Sequence, residues 1–169
     1  MADFALEATP DLRDHLGVLL NDVRSMMVPA TPELRHWLVL IVDDDPSVHI
    51  ITRAALGKLF VQGRGLEFEM MLTASDALTY LQANRNVALI LLDQRLETAD
   101  AGLAIAREVR YTLGLDRVRI VLRSGGDVQE LRKQVVGLDV TEVIGKSSTT
   151  LQELRAVVVQ SLEDFAQTA

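Results

Sequence analysis

A doubly wound α/β fold is what this sequence predicts: five parallel strands in the order 2-1-3-4-5, with helices on both faces. Three observations lead there. From Trp37 onward, strand-like and helix-like patterns alternate five times with short connections. Two of the strand-like runs, residues 38–42 and 87–92, are wholly apolar, as strands covered on both faces are. Both runs end abruptly in carboxylates, Asp43-Asp44-Asp45 and Asp93. Repeated βα units call for a parallel sheet, because each crossover is right-handed and the helices must cover both faces.

The elements follow in order. Residues 1–36 differ from the rest and are expected to form an N-terminal helical extension with a linker, ahead of one domain over 37–169. After Thr9-Pro10, apolar residues fall at Leu12, Leu16, Leu19, Val23 and Met26, with heptad-like spacings of four, three, four and three. Such a helix folds back on its own domain, dimerises with a second copy, or frays as a tail, and the pattern alone leaves the three open. Val28-Pro29-Ala30-Thr31-Pro32 breaks it.

The first strand, 38–42, runs into the acidic loop. Pro46, with a fixed φ and no N–H, suits a first helical position, and Asp45 before it suits an N-cap. The helix is expected over 46–60 with Val48, Ile51, Ala55 and Leu59 on one face. Gly63-Arg64-Gly65 turns the chain into a second strand, 66–72. Ser75 is the expected cap of the next helix, 76–83, which Asn84-Arg85-Asn86 ends. The third strand, 87–92, is followed by a long loop, 94–101, and a helix to about Leu113. Val118, Ile120 and Leu122 mark a fourth strand, interleaved with Arg117, Arg119 and Arg123. Ser124-Gly125-Gly126-Asp127 opens a short helix to about Val136. The fifth strand, 140–144, ends in Gly145-Lys146, and Thr149 or Thr150 caps a last helix carrying Leu151, Leu154, Val158, Leu162 and Phe165.

Composition narrows the function. Aromatics are only 4% of the chain, so the core must be aliphatic. Asp and Glu outnumber Lys and Arg, 24 to 17, and a net charge of −7 argues against broad binding to nucleic acid or anionic membrane. No apolar run approaches a membrane span, and the N-terminus carries acids where a signal peptide carries lysines, so a cytoplasmic location is expected. Cysteine is absent, which excludes disulfides and thiolate metal sites.

In an open parallel sheet the ligand crevice lies beyond the carboxyl ends of the strands where their order reverses, here between strands one and three. Asp43, Asp44 and Asp93 therefore converge, with Ser124 and Lys146 on the same rim. Three carboxylates and one lysine favour a hard divalent cation, and oxygen-only ligands favour Mg2+. A carboxylate beside a metal, an ammonium and a hydroxyl is equipped to attack phosphorus, giving an aspartyl phosphate. Asp45 is read as a helix cap only. His15, His36 and His49 are scattered and read as surface residues, and Arg107, Arg110 and the strand-four arginines as solvated faces.

Four motifs in order, Ile41-Val42-Asp43-Asp44-Asp45-Pro46, Leu91-Leu92-Asp93, Ile120-Val121-Leu122-Arg123-Ser124-Gly125 and Val143-Ile144-Gly145-Lys146, resemble the response-regulator receiver domains of bacterial two-component signalling, over residues 37–165. The resemblance implies a flavodoxin-like fold and Mg2+-dependent phosphorylation of Asp93 by a sensor histidine kinase or phosphotransfer protein. It implies that Asp44 binds the metal directly, Asp43 directly or through water, and Arg95 by its backbone carbonyl. It makes Ser124 the switch hydroxyl and Lys146 the phosphoryl contact. Val48-His49-Ile50-Ile51-Thr52-Arg53-Ala54-Ala55-Leu56, Gly65-Leu66-Glu67-Phe68 and Asp100-Ala101-Gly102-Leu103 further resemble a subgroup that sits ahead of a cyclic-di-GMP-related output module. On that resemblance the chain is a standalone receiver or the front of a longer protein.

The sequence departs from the family in four places. Lys146 is followed by Ser147 where the family has proline in a cis peptide. A non-proline cis bond costs about 2.5–4 kcal/mol, so a trans bond is expected, with room for the lysine to be displaced. Val143 replaces the aromatic switch residue, so the usual aromatic rotation is unavailable. The loop after Asp93 lacks the common proline and is one residue longer. Ser147 and Val143 also suit a pseudo-receiver, an interaction module that is not phosphorylated. A haloacid-dehalogenase-like phosphohydrolase, suggested by Asp43-x-Asp45, is more remote, because the acids after Lys146 all fall in a helical pattern. Apart from self-phosphorylation and autodephosphorylation, no enzyme activity is expected.

Overall fold

A computed structural model describes residues 36–168; the N-terminal helix and its heptad-like stripe lie outside them. The chain forms β1 (His36–Val42), α1 (Pro46–Leu56), β2 (Gly65–Met71), α2 (Ala74–Ala83), β3 (Leu89–Asp93) and α3 (Ala101–Arg107), and then β4 (Arg119–Ser124), α4 (Val128–Gln134), β5 (Glu142–Gly145) and α5 (Leu151–Gln167). The five strands are parallel in the order 2-1-3-4-5, as the alternation predicts.

Strand period sorts the apolar runs into two layers. Leu40, Val42, Ile90, Leu92, Ile120 and Leu122 face α2, α3 and α4, where Leu81, Leu103, Val109 and Leu131 meet them. Val39, Ile41, Leu89, Leu91 and Val121 face α1 and α5, against Leu56, Val158 and Leu162. β3 is fully buried, and β1 is from Val39 on, because both layers cover them; β2, at the sheet edge, is half-buried with Glu67 and Met70 exposed.

Several element-level expectations are corrected. α1 stops at Leu56 rather than near Phe60: the chain turns there, with Leu59 N–H bonded to Leu56 O at 2.9 Å, and Phe60 is exposed. Its buried face is His49, Thr52 and Leu56, whereas Ile51 is 66% exposed, so the helix is rotated from the expected stripe to bring polar groups under the strand ends. Thr73, not Ser75, caps α2 by accepting from Asp76 N–H at 3.1 Å. Thr150 caps α5 in a full capping box with Glu153, which leaves Leu151 exposed in the first turn. α3 continues into a π-helical turn, Glu108–Thr112, with Leu113 N–H bonded to Glu108 O at 2.9 Å. That widened turn carries Arg110 inward, not to solvent as expected. It is 8% exposed and donates to Val118 O at 2.8 Å and Asp139 O at 2.7 Å.

Candidate functional site

The site is built where β1, β3, β4 and β5 end. Asp43 continues β1 with its side chain on the α1 side, and it is 1% exposed. Asp44, one residue on, turns outward to solvent. Asp45 is a cap, as expected: its carboxylate accepts from Ser47 N–H at 2.9 Å and from the Ser47 hydroxyl, and those bonds hold its pKa below the usual carboxylate value. The backbone of Asp43 is tied to Met71 O at 3.1 Å, and its carboxylate accepts from Asp45 N–H at 3.2 Å.

Asp93 ends β3 on the other side of the reversal in strand order. Oxygens of Asp43, Asp44 and Asp93 all lie within 4.8 Å of one another, which is the convergence predicted from topology. Hard oxygen donors at that spacing, with Asp44 open to solvent, fit an Mg2+ ion that keeps several of its waters. Lys146 Nζ lies 2.8 Å from Asp43 Oδ2 and 2.7 Å from Asp93 Oδ2. The Lys146–Ser147 peptide is trans, as expected, since the described residues contain no cis bond. The lysine is nevertheless not displaced. Lys146 N–H bonds Ser124 O at 2.7 Å, which extends the β4–β5 ladder by one residue and aims the side chain at the acids.

Electrostatics follow from burial. Burial raises the Asp93 pKa above the usual carboxylate value, against the pull of Lys146, while neighbouring Asp43 pushes the same way as burial. For Lys146, burial works against the charge, but its bonds to Asp43 and Asp93 prevail and its pKa is raised. The ammonium is thus held charged, between two acids of which one resists ionisation.

Ser124 is buried at the rim, but its hydroxyl is turned from Asp93. It donates to Gln94 Oε1 at 2.7 Å and accepts from Gly126 N–H at 3.0 Å. Arg95 flanks a cleft of about 520 Å3 whose walls also include Asp44, Asp93, Glu97, Gly125 and Lys146.

Two residues read as solvated belong beneath the site. His49 is 3% exposed, and its Nε2–H donates to Asp43 O at 2.6 Å. Arg123 reaches under the strand ends to Thr52 Oγ1 at 3.1 Å. Their signal in the sequence was the i, i+3, i+7 spacing of His49, Thr52 and Leu56, and the shared strand parity of Arg123 and Val121.

Comparison with known proteins identifies the fold. No protein-family profile matches the chain. A receiver domain from Clostridium thermocellum superposes with a TM-score of 0.66 at 14% identity, over 79% of this chain and 99% of that one. A CheY-like receiver protein from Methanospirillum hungatei gives 0.65 at 19% identity, with the same coverage. The receiver domain of an HD domain-containing protein from Pseudomonas fluorescens gives 0.63 at 22%, over 79% and 99%. The fold of the described residues is that of response-regulator receiver domains. Among curated proteins, a 3'3'-cGAMP-specific phosphodiesterase from Vibrio cholerae is 39% identical over 100 residues, which are 59% of this chain. The match spans 19% of that relative's length. Among the described residues, no helix is long and apolar enough to cross a membrane.

Proposed function

We propose that residues 37–169 are a phosphoryl-accepting receiver domain, in which Asp93 takes a phosphoryl group from a sensor histidine kinase or phosphotransfer protein. One observation carries this reading. On a receiver fold, the acid at the end of β3 is bonded to Lys146, with Asp43 and Asp44 within 4.8 Å.

In the proposed reaction an Asp93 carboxylate oxygen attacks phosphorus in line, and the P–N bond of the donor phosphohistidine breaks as the P–O bond forms. Bound Mg2+ would offset charge on the phosphoryl oxygens; Asp43, Asp44 and the Arg95 carbonyl are the groups to hold it. Lys146, already 2.7 Å from Asp93, moves its ammonium to the incoming phosphoryl oxygen. Ser124 gives up Gln94 and donates its proton to another.

The chain is proposed to act in the cytoplasm as a module of a longer regulator. The matched phosphodiesterase is named for a cyclic dinucleotide and a matched receiver for its HD domain-containing protein, which supports an output that handles a cyclic dinucleotide. The heptad-like stripe of residues 12–26 supports a homodimer through the N-terminal segment.

The test is incubation with Mg2+ and acetyl phosphate followed by intact mass. A gain of one phosphoryl group, absent without Mg2+ and absent in Asp93→Asn, is expected. No gain from acetyl phosphate or from any histidine kinase overturns the proposal in favour of a pseudo-receiver.

A further inference from the structure

Resting on the reading of Asp43, Asp44 and Asp93 as a divalent-cation seat, we infer that Arg123 is a positioning residue of that seat. It is a second cation built in beneath the carboxylates, which offsets their repulsion and so sets how strongly they draw the metal.

Arg123 pairs laterally with Asp93 on β3 and with Ile144 on β5, at the last rung that β3 and β4 share. Strand parity sends its side chain to the Val121 side, under Asp43 and against α1. There Nη1 donates to Thr52 Oγ1 at 3.1 Å, and Thr52 is 1% exposed. Nε is buried without a hydrogen-bond partner. A guanidinium does not shed its proton, so such burial is tolerable only beside negative charge. Asp43 first, and Asp93 next, are the acids that offset it.

The charge count shows what this does. On the open side Lys146 is paired with Asp43 and Asp93 and Arg95 lines the same cleft, and both side chains are free to follow an incoming anion. Arg123 is half-buried, with Nε enclosed and Nη1 tied to Thr52, so its charge is held in place beneath the acids. It makes no ion pair within 4.0 Å among the described residues, and therefore acts on the acids through space rather than by occupying their lone pairs. The oxygens stay available to a metal, while the attraction for that metal is moderated. A residue that merely packed β4 against α1 would leave metal affinity untouched.

Calorimetric titration of the full chain with Mg2+ at fixed ionic strength tests this. Arg123→Gln and Arg123→Met are expected to bind Mg2+ about threefold or more tightly than the wild type, because one positive charge is gone. Arg123→Lys, and Thr52→Val, which cuts the tie but leaves the charge, should stay within about twofold of the wild type. If the neutral variants do not fold, Thr52→Asp neutralises the guanidinium where it lies and should tighten Mg2+ binding in the same direction. Unchanged or weaker binding in the folded neutral variants overturns the role of Arg123 and leaves the seat standing. A wild type that binds no Mg2+ overturns both.

Discussion

Ser124 has one hydroxyl proton, and in this arrangement it is committed to Gln94 Oε1 at 2.7 Å. Gln94 cannot drift to follow it. Its N–H is bonded to Arg123 O at 2.9 Å and its carbonyl accepts from Gly102 N–H at 3.0 Å, so the side chain is aimed by a clamped backbone. A phosphoryl oxygen on Asp93 can take the Ser124 proton only by breaking this bond. A neutral hydrogen bond is worth about 0.5–1.5 kcal/mol net, so Gln94→Leu is expected to tighten binding of beryllofluoride, a phosphoryl mimic, by roughly two- to tenfold. Titration of the folded variant beside the wild type measures it. Equal affinities would show that the contact does not hold the resting state.

At the scale of elements, the join between β3 and α3 is the tightest around the site. A Cβ at Gly102 would overlap Asp93 O and lie 2.8 Å from Gln94 Cα, because the helix start is pressed onto the strand end. Gly102→Ala must push the two apart, and overpacking of this kind costs about 1–3 kcal/mol. Urea unfolding is expected to show that loss, together with slower phosphorylation, since the backbone that must yield carries Asp93. The loop of 94–100 has its two ends held together by this contact. The position of Asp93 is therefore insulated from the loop's own length.

For the whole molecule, the sign of the Asp93 shift decides a pH dependence. Its pKa is raised in the fold, mainly by burial, so the folded protein holds the proton more tightly than the unfolded chain. Stability from this group is present below the ordinary carboxylate pKa and is lost as pH rises through the folded value. Asp93→Asn escapes that loss. Without divalent cations it is expected to melt above the wild type at pH 7, with the gap closing as pH is lowered toward the ordinary carboxylate range. Thermal melts across that range check it; a variant less stable than the wild type at pH 7 would mean that the Lys146 contact outweighs burial.

How much of this was legible in the sequence divides along the range of the forces involved. Strand order, the two layers and the convergence of Asp43, Asp44 and Asp93 follow from apolar runs, right-handed crossovers and acids at strand ends, which are local patterns and chain chirality. The cap at Asp45 is equally local, since its partner is Ser47. The rotation of α1 was not legible. Ile51 and His49 both fit a helix, and only packing against the strand ends exposes the first and buries the second. The same holds for Arg123 and Lys146. An arginine in a strand reads as solvated, and a lysine without its proline reads as movable, until partners 71 and 53 residues away in the chain are brought beside them. Sequence periodicity reports which face of an element is apolar. It carries no information on which distant carboxylate will offset a buried charge, and that is what the assembled rim of the sheet adds to the acidic stretch that ends β1.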